Sequence, residues 1–253
     1  MLAAERRDQL VARLHRDGKL VARDLAAELG LSEDSVRRDL RELAAAGLCQ
    51  RVYGGALPVA PGLGAVQAAR SEIAPESKRR VGARAAQLIM PGSTAILDGG
   101  TTALEVVAAL PPDLDARIIT HSATTAAALA SHPKASVLML GGHLHKQSVS
   151  ASGAMAAEAA GRISADVALL IITGIHPQEG LTVSDPEQAA LLRILISRAA
   201  DTYVMASVEK LGTVCAYRTV GLPEVAGIIT DAPADHPTVR QLLDQGVTVI
   251  PAP

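Results

Sequence analysis

LSEDSVRRDL, residues 31–40, reads as a helix with two unlike faces. Ser32 stands where an N-cap belongs, and Glu33 and Asp34 put negative charge in the first turn, where the helix dipole favours it. Val36, Leu40 and Leu43 recur at helical spacing and form one apolar stripe, while Arg37, Arg38 and Arg41 fall on the opposite face beside Asp34 and Glu42. Just upstream, residues 23–29 (RDLAAEL) make a short amphipathic helix that stops at Gly30. Helix, glycine turn and a second helix with outward arginines is a helix-turn-helix layout, whose second helix enters the DNA major groove. A solvated helical hairpin with ordinary surface charges has the same spacing.

The next dozen residues separate these two possibilities. Residues 48–59, LCQRVYGGALPV, place a short strand at 49–53, a tight turn at Gly54-Gly55 and a returning strand at 56–59. A β-hairpin directly behind a recognition helix is a wing, which would set Arg51 and Tyr53 along the phosphate backbone. Arg51 there adds affinity without sequence information, whereas Arg37 or Arg38 can reach base edges such as guanine.

Three signals occur in order: Glu5-Arg6-Arg7, then Ser32 with SVRRDL at 35–40, then Gly47-Leu48, Arg51 and YGGA at 53–56. Over about residues 1–57 the chain resembles the DNA-binding head of the DeoR family of bacterial transcriptional regulators. The resemblance implies an α+β winged helix-turn-helix in which Ser32, Ser35, Arg37, Arg38, Arg41, Arg51 and Tyr53 face a double-stranded operator.

Composition narrows the alternatives. Apolar residues make up 49% of the 253, yet Phe and Trp are absent and Tyr occurs three times. The core is therefore Ala, Val, Leu and Ile, and single-strand binding by base stacking is disfavoured. No apolar run reaches the roughly 18 residues of a membrane span, and the charged start AAERRDQ lacks the hydrophobic stretch of a signal peptide. Cys49 and Cys215 stand far apart without metal-ligand spacing, as unpaired thiols of a reducing cytoplasm would. A cytoplasmic protein without metal, cofactor or membrane is expected. Net charge is −2, and residues 1–58 hold ten Lys and Arg against nine Asp and Glu. DNA affinity then rests on geometry around a few arginines, is salt-sensitive and calls for dimerisation.

Residues 58–77 carry prolines and glycines as a linker would, one that can end in a helix. From Lys78 to 253, helices and strands alternate. Helices are expected at 80–89, 103–110, 123–130, 187–198 and 237–245, and strands at 94–97, 117–120, 136–140, 203–206, 227–230 and 247–250. Residues 167–172 are an apolar run without alternation, the mark of a parallel strand covered on both faces. This alternation implies a three-layer, mostly parallel α/β domain. Ligands of such sheets bind at the carboxyl ends of strands.

Several strand ends carry polar chemistry. Asp98-Gly99-Gly100-Thr101-Thr102 leads from a strand into a helix, where backbone N–H groups, two hydroxyls and the helix dipole suit a phosphate. Thr120-His121-Ser122, Gly141-Gly142 and Gly174 end other strands, Asp185 lies in the polar loop GLTVSDPEQ, and Lys210 follows a strand in ASVEKLG. Each has a plainer alternative: a buried hydrogen-bonded His121, a helix cap at Asp185, a solvated loop lysine at Lys210.

Over about 78–250 the chain also resembles the C-terminal domain of the DeoR family, which is similar to ribose-5-phosphate isomerase and binds phosphorylated sugars. The resemblance implies a phosphate loop at Asp98, Gly99, Gly100, Thr101 and Thr102, with Thr120, His121, Ser122, Gly141, Gly142, Gly174, Asp185 and Lys210 around the sugar. Lys78 matches a family lysine without a firm role. The chain departs in having His121 where the family has Asn, and Ala206 where it has an acid, with Glu209 nearby.

The leading reading is a transcriptional regulator, acting as a repressor of carbohydrate genes under control of a phosphorylated sugar, in a homodimer or homotetramer. The rival is an isomerase-like enzyme with an appended winged helix, using Asp98, Asp185 or Glu209 as base and Lys210 to stabilise an enediolate. No close pair of carboxylates supports it. A third reading makes the head a protein-interaction module.

Overall fold

The computed structural model describes residues 3–59 and 67–253; residues 1–2 and residues 60–66 of the expected linker lie outside it. In the head, helices α1 (Ala3–Asp17), α2 (Ala22–Leu29) and α3 (Glu33–Ala45) pack with β1 (Leu20–Val21), β2 (Gln50–Val52) and β3 (Gly55–Leu57), a sheet in the order β1-β3-β2. Val36, Leu40 and Leu43 are buried with Leu10, Leu14 and Leu25, so the apolar stripe of α3 is the one that packs. Ser32 caps α3 by accepting from Ser35 N at 3.2 Å, and Gly30 closes α2 in the left-handed conformation.

One acidic residue of α3 leaves the solvated face. Asp39 is 4% exposed and takes a two-pronged ion pair from Arg6 of α1, Nε to Oδ2 at 2.5 Å and Nη2 to Oδ1 at 3.0 Å. Arg7 reaches Glu42 at 2.5 Å. The two adjacent arginines thus dock α1 across α3.

The wing turns one residue earlier than the sequence suggests. Tyr53 and Gly54 make the turn, and Gly55 already belongs to β3, opposite Val52 on one side and Val21 on the other. Gly54 supplies the positive φ of +81°. Gly55 serves a different need: a Cβ there would lie 1.8 Å from the Leu20 carbonyl oxygen. β1, which makes that demand, is too short to show any period in the sequence.

Beyond the head, α4 (Gln67–Ser71) and α5 (Pro75–Ala86) occupy much of the stretch expected to be linker. Then come β4 (Thr94–Leu97), α6 (Thr101–Ala109), β5 (Arg117–Thr120), α7 (Ala123–Leu129) and β6 (Ser136–Met139). A hairpin of β7 (His143–His145) and β8 (Ser150–Ser152) precedes α8 (Gly153–Gly161) and β9 (Ala165–Ile171). The chain ends through β10 (Gly174–His176), β11 (Gly180–Val183), α9 (Pro186–Ser197), β12 (Ala199–Met205), β13 (Tyr217–Arg218), β14 (Gly227–Thr230), α10 (Pro237–Asp244) and β15 (Val249–Pro251).

Seven strands form one parallel sheet in the order β15-β14-β12-β9-β4-β5-β6. Residues of α5 and α6 (Val81, Ala85, Ala103, Val106) fill one face, and residues of α8, α9 and α10 (Ala160, Leu192, Leu195, Leu242) the other. The apolar run at 167–172 supplies β9, a central strand whose Ala168, Leu169 and Leu170 are wholly buried. The chain lays β4, β5 and β6 outward, then returns past its starting point to lay β9 and β12 on the other side. Strand order therefore reverses between β4 and β9, and a crevice opens there at their carboxyl ends.

Residues 180–183, expected within a polar loop, form the buried strand β11 between β10 and β13. The polar member is satisfied: the Thr182 hydroxyl donates to Gly174 O at 3.2 Å and accepts from Cys215 N at 3.0 Å.

The two wing glycines should respond differently to a methyl group. Gly54→Ala places Cβ in left-handed backbone and should cost about 1–2 kcal/mol. Gly55→Ala must push β1 and β3 apart, and should cost clearly more or prevent the head from folding. Equal losses in urea denaturation of the two variants would remove the close-approach role of Gly55.

Candidate functional site

On the head, the candidate DNA-facing residues come from the start of α3, its arginine face and the wing. Ser32 and Ser35 share a hydroxyl–hydroxyl bond of 2.9 Å, and Arg37 is held by Glu33 at 2.7 Å one turn back. Arg38, Arg41 and Arg51 are exposed, and no ion pair engages them among the described residues. Tyr53 stands fully exposed at the wing tip. An exposed cation without an internal partner is available to phosphate or base edges, and Arg38 and Arg41 are freer in this respect than Arg37.

In the α/β domain a cavity of about 90 Å³ lies at the β4–β9 reversal, several times what one water requires. Its floor is Gly99, Gly100, Thr101 and Thr102, joined by Ile171, Ile172 and Thr173 from the end of β9. Gly99 is glycine because a Cβ would meet Ser150 Oγ at 2.5 Å and Ser122 Cβ at 2.6 Å. Gly100, with φ +128°, turns the backbone into α6, whose first-turn amides have no partner within the helix.

Asp98 lies under this floor, and its oxygens are committed inward. Oδ1 accepts from Gly99 N (2.6 Å) and faces His121 Nε2 (2.7 Å), while Oδ2 accepts from Ile171 N (2.9 Å). The other ring nitrogen of His121 faces Ala151 O at 2.9 Å. With an acceptor on each side, the doubly protonated ring fits best. Burial opposes that charge, but the bond and charge of Asp98 and the Ala151 carbonyl outweigh it, so the His121 pKa is raised.

The cavity walls carry the remaining charge. Arg70 of α4, Lys78 of α5 and Lys210 beyond β12 face it, with Glu209 as the acidic member. Burial lowers the pKa of Arg70 and of Lys78, and lowers that of Lys210 to about 8, with Glu209 partly opposing the shift in both lysines. Glu209 Oε1 accepts from Ser207 at 2.5 Å. Among the described residues four buried side-chain polar atoms lack a hydrogen-bond partner, and three of them, Arg70 Nε, Thr102 Oγ1 and Glu209 Oε2, belong to residues of this cavity. A buried donor or acceptor without a partner costs about 1–3 kcal/mol, so their convergence marks a place shaped for a polar ligand.

Gly99, Gly100, Thr101, Thr102 and Lys210, expected around a ligand, do line the cavity, and Asp98 borders it. Others are used differently. Thr120 Oγ1 accepts from Ser122 N at 3.1 Å, and Ser122 caps α7 by accepting from Thr125 N at 3.3 Å. His121 supports Asp98. Gly141 is exposed, Gly142 packs on Ser152 and Ala156, and Gly174 lies in β10 against Thr213. Asp185 caps α9 through Gln188 N at 2.8 Å, borders a smaller neighbouring recess with His121, and leaves Ser184 and Gln188 at the main wall. Ala206 is buried away from the cavity, which Glu209 reaches instead.

Arg70, Ile73 and the β7–β8 residues His145, Gln147, Ser148 and Ser150 also line the cavity, and motif reasoning does not single them out. The polar run HKQSVS between a glycine pair and a helix is a usable signal for the hairpin residues. Arg70, a single basic residue in a proline- and glycine-rich stretch, offers none.

Residues 6–60 match the DeoR-like helix-turn-helix domain and residues 73–232 the DeoR C terminal sensor domain. The HTH-type transcriptional regulator GlpR of Haloferax volcanii is 31% identical over 253 residues, covering 99% of this chain and 98% of that protein. The HTH-type transcriptional repressor GlcR of Bacillus subtilis is 29% identical, covering 91% and 89% of the two chains. The glycerol-3-phosphate regulon repressor of Escherichia coli K12 is 24% identical, covering 98% of each. Ribose 5-phosphate isomerase A of Methanocaldococcus jannaschii overlaps 54% of each chain with a TM-score of 0.40 at 15% identity. With both halves matched in order and relatives aligned from end to end, the chain belongs to the DeoR family of transcriptional regulators.

Proposed function

We propose that this regulator represses carbohydrate genes and is controlled by a phosphorylated sugar or polyol bound at the β4–β9 reversal. The observation that carries the effector class is the convergence of Arg70 Nε and Thr102 Oγ1, both buried without partners, with Lys78 and Lys210 at the start of α6. Donors and cations around a helix N-terminus suit a phosphate, and Glu209 Oε2 suits a sugar hydroxyl. The name of the glycerol-3-phosphate regulon repressor points to the same chemical class. Two or four heads in a homo-oligomer would read a repeated operator. Effector binding coupled by about 1–3 kcal/mol would change operator affinity roughly 5- to 150-fold.

Binding without turnover fits the carboxylates. Asp98 is fully hydrogen-bonded, Asp185 caps a helix, and Glu209 alone presents a free oxygen to the cavity. Pentose or hexose phosphate isomerisation at about 1 s⁻¹ or faster by purified protein would overturn this.

Three outcomes are expected. A phosphorylated sugar at about 100 times its Kd should stabilise the whole chain by about 2.7 kcal/mol in thermal melts. Thr102→Val should lose that response while melting no lower without ligand, since it removes an unpaired buried hydroxyl; a full response in Thr102→Val would place the ligand elsewhere. Second, the phosphate is already a dianion above pH 7, whereas Lys210 is charged only below about 8. Affinity should therefore fall as pH rises from 7 to 9, and a flat profile, or a slope retained in Lys210→Met, counts against the lysine. Third, Arg38→Ala should weaken binding to a fragment from beside the coding region by about 1–3 kcal/mol and leave the effector response intact. Unchanged binding would favour a protein-interaction head.

A further inference from the structure

Arg70 and Ile73, in the described part of the segment between head and sensor, line the cavity. Leaving β3, Pro58 O accepts from Val214 N at 3.0 Å. Further on, α4 is clipped to the sensor by Gln67 N donating to Gln147 O (3.1 Å) and by Gln67 Nε2 donating to Thr124 Oγ1 (3.0 Å). Lys78 Nζ donates to the carbonyl of Arg70. These bonds hold Arg70 at the cavity that Thr102 also lines.

The guanidinium is left incomplete there. Nη2 donates to Gln147 O at 3.2 Å, Nε is buried without a partner, and no carboxylate pairs with Arg70 among the described residues. The nearby acid that could have paired, Asp98, is saturated from its own side. A guanidinium presents its donors as a planar fork that matches two oxygens of one anion, which a lysine ammonium cannot reproduce.

We propose that Arg70 grips the anionic group of the effector, so that the ligand bridges the segment between the domains to the N-terminus of α6. Occupancy of the cavity is then read directly by the stretch of chain that carries the head. The proposal rests on the cavity being the sugar-phosphate site, and it assigns the coupling to α4 rather than to the sheet.

The test uses the full chain, with inorganic phosphate and then glycerol 3-phosphate and glucose 6-phosphate as probes. Affinity comes from calorimetry, and order in α4 from amide hydrogen exchange over 67–73. In the wild type, the probe that binds should slow exchange across 67–73. Arg70→Lys keeps the charge and loses the fork, and Arg70→Met loses both. Each should bind roughly ten- to a hundredfold more weakly and show no added protection at saturating probe. Arg70→Lys guards against the chance that Met disturbs packing. Variants that match the wild type in affinity and protection would overturn the role of Arg70 while leaving the effector site standing. Protection retained at reduced affinity would overturn the coupling through α4. If the wild type binds none of the probes, the effector reading fails and this inference with it.

Discussion

The α/β domain depends on one carboxylate. Asp98 takes hydrogen bonds from the turn it begins (Gly99), from the end of β9 (Ile171) and from the end of β5 (His121), and His121 passes the connection to β8 through Ala151. Three parallel strand ends and a hairpin are thereby fixed around the point where strand order reverses. Such a buried pair is costly to desolvate and roughly breaks even when complete, but removing one partner costs about 3–5 kcal/mol. Its effect is positional: with Asp98 saturated from below, the amides of Gly100 and the first turn of α6 are left to face the cavity. The family resemblance leads one to expect Asn at 121. An Asn gives the carboxylate a hydrogen bond but no charge, whereas His121 gives both. The departure therefore lies in the support of the loop and not in the wall of the cavity.

Charge around the cavity is arranged with the same logic. Three cations and one free carboxylate share a recess in which burial disfavours the charge of each cation, and Glu209 partly restores that of each lysine. An anion entering that recess would relieve the cations, and a hydroxyl would satisfy the acid. Asp39 shows the contrasting case in the head, where a buried acid is paired fully from within by Arg6 and has nothing left to offer a ligand.

Features carried by local spacing were legible in the sequence. The cap, stripe and arginine face of α3, the apolar run of β9 and the Gly-Gly-Thr-Thr turn after β4 each follow from neighbours a few residues apart. Features set by distant partners were hidden. Asp39 looks like a surface acid until Arg6 is brought beside it, and Gly55 looks like half of a turn until β1 passes beneath it. Thr120, Ser122 and Asp185 have the chemistry of ligand contacts, but each satisfies a backbone amide within three residues of itself, which hydroxyls and short acids readily do. Arg70 escaped because its segment has the composition of a linker and acquires its place only by docking on a hairpin far along the chain.

The order of strands also has a consequence for how the protein comes into being. The head is closed by contacts within residues 3–59, so it can fold while the ribosome is still making the sheet. β4, by contrast, gains its inner neighbour only when β9 emerges, after β5, β6, the hairpin and α8 have all been made. Gln147, which holds α4, also comes late. A nascent chain thus carries a finished DNA-reading head before it has any cavity through which that head could be controlled.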